Sequence, residues 1–313
     1  MAVQDQLYPL FLKLVQLGIG QGDNPSIIID DWEGIRDWAN RHGLLAIITD
    51  GIEQLPTEKR PPKQELLQWI GEVMQMENQY AVQQNAAAEM ALLFHHNYIR
   101  TYVLKGAVIA ECYPKPEHRV SVDLDCYLLP QNGEFDAWNL GNDLIKSQYL
   151  GVVFDFYKNS TFKLPGLTVE NHQFMVPFRG NKTLTDLEFM LRSYMREDKG
   201  EDRFDGTWLY RPPVMVSALF LIEHAYSHFL HEGLTWRHVL DWMMFSRKHK
   251  KKIDWYVLDA LIDEFGFRKF YDSYYRLGKC LMGELDEKDL TAKDRRMLVD
   301  VWANLDLPTQ IRV

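Results

Sequence analysis

VLKGAVIAECYPKPEHRVSVDLDCYLL, residues 103–129, interrupts a mostly helix-forming chain with two short β-rich runs. The first, at 101–104, is Thr-Tyr-Val-Leu and stops at Lys105-Gly106, as a strand does when it runs into a turn and helix. The second, 120–129, is closed by Pro130 and the turn residues Gln131, Asn132 and Gly133. Asp123 and Asp125 stand two apart on it, so their side chains share one face. At ~6 Å and an effective dielectric of about 20, two such carboxylates repel by roughly 3 kcal/mol. A divalent cation removes that conflict, and hard oxygen ligands alongside phosphate suit Mg²⁺. An exposed edge strand with alternating acids is the other reading of D-x-D taken alone.

Working outward, the first hundred residues read as helices. Leu7, Leu10, Phe11, Leu14 and Val15 recur at helical spacing, and Asp30 or Asp31 is placed to cap a second helix that Gly43 ends. Pro61-Pro62 opens a third to about His96, long enough that a break is open. On the other side, 136–149 reads as a helix. Runs 152–162 and 167–178, joined by Pro165-Gly166, read as a β-hairpin. From Leu184 the pattern returns to helix. Pro212-Pro213 starts one through Phe229, Thr235 caps another through Phe245, and about three more follow to Trp302. The expected fold is α+β: a helical region (1–98), a mixed-sheet core (99–200) and a second helical region (201–313).

At 313 residues, 46% hydrophobic and 25% charged, the composition is that of a globular chain. The 35 Lys and Arg against 44 Asp and Glu, net −9, disfavour a dedicated nucleic-acid binder. Cys112, Cys126 and Cys280 are scattered and odd in number, as reduced thiols are. The N-terminus lacks a basic start and a continuous apolar run, and no stretch approaches ~20 apolar residues. A cytoplasmic protein without membrane contact is expected.

The order strand, Lys-Gly turn, helix, then Arg-x-Ser-x-Asp-x-Asp resembles the nucleotidyltransferase superfamily related to DNA polymerase β. More narrowly, it is similar to the uncharacterised bacterial nucleotidyltransferase family with LKGxA…YP…R…S-x-D-x-D, and to AbiEii-type toxin nucleotidyltransferases. Leu104, Lys105, Gly106, Tyr113, Pro114, Arg119, Ser121, Asp123 and Asp125 carry the match. The resemblance implies a nucleotidyltransferase-type core and transfer of NMP from an NTP to an acceptor hydroxyl on a small molecule, protein or RNA. Asp123, Asp125 and a third carboxylate would hold one or two Mg²⁺ ions. Glu170, two residues before His172, is preferred for that third place over Asp155. Lys105, Gly106, Ala107, Arg119, Ser121 and His172 would face the nucleotide, with Arg119 alternatively bracing the strand carboxylates through a bidentate pair. Ala107 stands where the superfamily commonly has Ser or Gly. It keeps open a non-catalytic nucleotide-binding or scaffold relative of the fold.

Other motifs read more plainly. Residues 18–22, Gly-Ile-Gly-Gln-Gly, follow an amphipathic helix and suit a connector rather than a dinucleotide loop. His224, His228 and His231 could bind zinc at that spacing, yet without HExxH they suit packing or the wall of a nucleotide cleft. The basic run 247–252 reads as a solvated helix end, and Trp236, Trp242 and Trp255 as core.

Overall fold

The computed structural model describes residues 4–22, 29–148, 151, 153–154, 159–177 and 180–303. Four helices come first: α1 (Gln4–Gly18), α2 (Trp32–Arg41), α3 (Leu45–Glu53) and α4 (Lys63–His96). Asp31 caps α2 by accepting from the Gly34 amide at 2.8 Å, satisfying a first-turn N–H that has no partner within the helix. The sequence pattern did not announce α3, because every residue from 45 to 52 is buried and no polar stripe marks its period. Glycine lets it cross α1 closely: a Cβ on Gly51 would lie 2.1 Å from the Leu14 carbonyl oxygen. α4 runs unbroken for 34 residues. It has no internal proline, and Gly71 faces open space, so nothing kinks it.

The core follows with β1 (Ile99–Val103), α5 (Ala107–Ala110), β2 (Asp123–Pro130), α6 (Ala137–Gln148), β3 (Val153–Phe154), β4 (Asn159–Leu164) and β5 (Leu167–His172). After α7 (Lys182–Glu197), the two-residue β6 (Leu209–Tyr210) completes a six-stranded sheet in the order β3-β4-β5-β2-β1-β6. β2 lies antiparallel to β1 and parallel to β5, and β1 lies parallel to β6. The expected hairpin is β4–β5, closed at Leu164↔Leu167 by Pro165 and by Gly166 at φ +75°. Its outer run divides into β3 and β4, with 155–158 outside the described residues. Its inner run ends at His172 rather than 178.

Helices α8 (Val214–His231), α9 (Trp236–Lys248), α10 (Trp255–Glu264), α11 (Arg268–Leu281) and α12 (Ala292–Ala303) follow. Alternation along β2 sends Leu124, Cys126 and Leu128 one way and Asp123, Asp125 and Tyr127 the other. Gly141 of α6 and Phe94 of α4 meet the Leu128 side. α8 covers the carboxylate side, where Phe220 stands edge-on to His172. Buried side chains from Leu7 to Val301 form one cluster, so all three expected regions share a core. Trp236 and Trp242 lie within it; Trp255, at the start of α10, is instead 38% exposed. No described helix is long and apolar enough to cross a membrane.

A buried histidine ties the helical front to the core. His118 reaches Asp50 of α3 with Nδ1 (2.6 Å) and Glu77 of α4 with Nε2 (2.9 Å), while Lys115 also holds Asp50. Burial works against its charge, but the two carboxylates win and raise its pKa above 6.5. A folded-state pKa above the unfolded one stabilises fully below pH 6.5 and is lost as pH rises through the folded value. Thermal melts should therefore fall as pH rises above 6.5, and His118→Gln should flatten that dependence. An unchanged slope in the variant would clear His118 of the role.

Candidate active site

Backbone geometry at the end of β1 builds the site. The Leu104 amide donates to the Asp125 carbonyl at 2.9 Å, carrying the chain alongside β2 into Lys105 and Gly106. Gly106 has φ +64°, and a Cβ there would stand 3.1 Å from Ser121 Oγ, so the turn needs glycine on both counts. Ser121 donates to the Asp123 carbonyl at 2.9 Å and so fastens the entry of β2 to this turn. Ala107 begins α5 with its methyl buried.

The parallel register of β2 and β5 pairs Asp125 with Glu170 and Tyr127 with His172. Asp125 and Glu170 therefore stand side by side on one face, with Asp123 two residues back along β2. One ligand atom each from Asp125, Glu170 and His172 falls within 4.8 Å of the others. Asp125 is 1% exposed: Oδ2 lies 3.2 Å from Lys105 Nζ, and Oδ1 accepts from His172 Nε2 at 2.9 Å. Glu170, whose side chain is 32% exposed, accepts from Asn159 Nδ2 at 2.8 Å. Burial, then the neighbouring Asp125 charge, raises the Asp123 pKa, with Lys105 pulling the other way. His172, whose Nε2 lies 3.6 Å from Glu170 Oε2, lowers the Glu170 pKa, against burial and Asp125.

Two residues make contacts other than those expected of them, although Arg119 still lines a cavity with Lys105, Ser121 and Asp123. Arg119 is buried and bidentate, but its partner is Asp241 of α9 rather than a strand carboxylate: Nε to Oδ1 at 3.1 Å and Nη2 to Oδ2 at 2.7 Å. The strand directs Asp123 and Asp125 towards Lys105 and His172, while α9 brings a carboxylate to Arg119. His172, expected against the nucleotide, has no exposed side-chain surface, and its Nε2 stands 2.9 Å from Asp125 Oδ1. Asp155 lies outside the described residues.

Beside the carboxylates, Lys105, Asp123, His224, His228, Arg237 and His238 line much of a cavity of about 150 Å³. Lys105 Nζ stands 3.3 Å from His224 Nε2. The third histidine near His224 and His228 is His238 of α9, not the exposed His231. Asn159, Arg237, His238 and Asp241 were not singled out from sequence. For the last three a signal existed: charged and polar residues in Trp236–Lys248, a helix buried almost all round.

Helices on both faces of a mixed sheet, with acids on neighbouring parallel strands beside a lysine–glycine turn, form a nucleotidyltransferase-type core. The chain belongs to a family described as uncharacterised nucleotidyltransferase, whose model matches residues 30–283. No curated protein and no solved structure matches it.

Proposed function

We propose that the protein transfers NMP from a nucleoside triphosphate to an acceptor hydroxyl, with Mg²⁺ held by Asp123, Asp125 and Glu170. The observation that carries this reading is the β2–β5 register, which sets Glu170 beside Asp125 on the face that Asp123 also occupies. The donor set fits the ion: carboxylate oxygens dominate, and the Asp123 pKa is raised first by burial and then by the neighbouring Asp125 charge, both of which a bound dication offsets. Bound there, Mg²⁺ neutralises phosphate charge and lowers the pKa of the attacking hydroxyl.

The chain's own groups prepare that site. His172 and Asn159 fix the orientations of Asp125 and Glu170, as supporting donors do around metal-binding carboxylates. Lys105 balances Asp125 and is the cation nearest the turn for an incoming phosphate. Gly106 leaves the backbone there open to close approach. Arg119 acts indirectly, locking the loop before β2 to α9 through Asp241. The net charge of −9 favours a small-molecule or protein acceptor over RNA.

Ala107 supports a second reading, a non-catalytic nucleotide binder, because it offers no hydroxyl to a phosphate. Calorimetry with ATP, GTP, CTP and UTP separates the two. Transfer chemistry predicts binding that weakens at least roughly tenfold, about 1.4 kcal/mol, when Mg²⁺ is removed. Affinity indifferent to the metal would favour the non-catalytic reading. A labelled-NTP screen over metabolite, protein and RNA acceptors then identifies the acceptor.

A further inference from the structure

A second cavity, of about 810 Å³, opens where β2 and β5 end beside α7. That volume lies within the roughly 300–1,000 Å³ that small molecules fill. Tyr127 and His172 line it, and they are the register pair that follows Asp125 and Glu170 on the same face. Two residues along a strand span about 7 Å. The cavity therefore lies next to the proposed metal centre, yet none of its three carboxylates lines it.

The chain carries a net charge of −9, but Arg100, Arg192 and Arg196 all line this cavity. Arg100 donates to the Pro130 and Asp198 carbonyls and contributes charge alone. Arg192 donates from Nε to Glu188 and from Nη2 to the Gln173 carbonyl, both at 2.6 Å, and its guanidinium lies 4.6 Å from the Phe174 ring centre. Its Nη1 bonds nothing among the described residues. Arg196 follows one turn later on the same side of α7, exposed and with no partner among the described residues. Between the strand and these guanidiniums stands Tyr127, 7% exposed, whose hydroxyl meets no hydrogen-bonding group among the described residues. Burial raises its pKa; the Arg192 charge opposes that, Glu188 adds to it and Arg196 opposes it again. The phenol thus stays protonated at neutral pH and can donate.

Aromatic rings supply much of the remaining wall. Trp138 is fixed by donation from Nε1 to the Asn171 carbonyl at 2.9 Å, and Phe135 and Phe174 line the cavity with it. Two acids are also present. Asp136 is engaged by the backbone and side-chain amides of Asn139, at 3.0 and 2.6 Å, and Glu134 is exposed to solvent, which screens it. Guanidinium and phenol donors without acceptors, beside flat apolar rings, suit an oxyanion carried on an apolar body.

We propose that this cavity is a second ligand site, for a small organic anion. Its phosphate or carboxylate group lies against Arg192, Arg196 and the Tyr127 hydroxyl, and its apolar part against Trp138 and Phe174. The site goes beyond the transfer reaction proposed above and does not depend on it.

The test is a ligand-detected NMR titration of the full chain, without Mg²⁺ or nucleotide, using phenyl phosphate, benzoate and benzyl alcohol. At least one of the two anions should bind, with benzyl alcohol at least tenfold weaker, and the better anion identifies the head group. Arg196→Gln should weaken that anion at least fivefold and Tyr127→Phe about threefold. Arg196 is exposed and phenylalanine keeps the ring, so melts should show both variants folded; if Tyr127→Phe is not, Arg196→Gln alone decides. Lys105→Ala should leave the affinity unchanged. Wild-type affinity in folded Arg196→Gln, benzyl alcohol binding as well as the anions, or no binding of either anion overturns the proposal. So does a loss of affinity in Lys105→Ala, which would put the probe at the lysine–glycine turn. A protein that binds the probe as expected but transfers no nucleotide refutes only the transferase reading.

Discussion

Asp123→Asn combined with Asp125→Asn should lower Mg²⁺-dependent nucleotide transfer by at least roughly 10³-fold, because aimed charge at the reacting phosphate supplies most of the rate in such chemistry. The fold should survive. Asparagine keeps the shape of aspartate, and its carbonyl can still accept from His172 at position 125. Stability at position 123 should rise. A carboxyl whose pKa is raised by folding binds its proton more tightly in the native state, so its ionised form costs stability at neutral pH. Replacing it by a neutral amide removes that cost. Added Mg²⁺ should accordingly raise the melting temperature of the wild type and leave the double variant unmoved. Full transfer activity in a folded double variant would falsify the assignment. A metal-induced shift that persisted would move the ion elsewhere.

The parts of this site visible in the sequence are those whose chemistry is local. Asp123 and Asp125 betray a shared face because strand alternation is fixed by covalent geometry. Gly106 and the Pro165-Gly166 turn betray themselves through backbone requirements that few residues meet. What stayed hidden depends on pairings across the chain. Glu170 is preferred as the third carboxylate only through the family resemblance, because its place opposite Asp125 follows from a parallel register between strands some forty residues apart. Arg119 reads as facing phosphate or bracing the acids beside it in sequence, yet its carboxylate partner is 122 residues away on α9. Helical spacing nominated His231 to complete the histidine group, whereas the chain turns at Thr235 and brings His238 back instead. α3 escaped for another reason: a helix buried all round has no amphipathic period to detect. β6 is only two residues long and exists because β1 offers it an edge.

The same non-local contact yields the largest expected effect on stability. Asp241→Asn should destabilise the protein by about 3–5 kcal/mol, the usual cost of removing one member of a buried ion pair. Three buried groups depend on this carboxylate: Tyr113 Oη, Arg119 Nε and Arg119 Nη2 all donate to it. Burial alone would disfavour the Arg119 charge, yet Asp241 overcomes this and raises its pKa. Asparagine removes the charge and turns an amide NH₂ towards a guanidinium that can only donate. Arg119 and Arg237, whose charges already oppose each other, would then be left with Asp123 as an acid that favours both. Urea unfolding should show a lower midpoint with an unchanged slope, the sign of lost stability rather than an altered unfolded state. The double variant Arg119→Met/Asp241→Leu should lose less than Asp241→Asn alone, because no charge remains buried. If the single variant proves as stable as wild type, the Arg119–Asp241 pair does not lock the loop before β2 to α9, and the orientation of Asp123 must be maintained from Ser121 and the Gly106 turn alone.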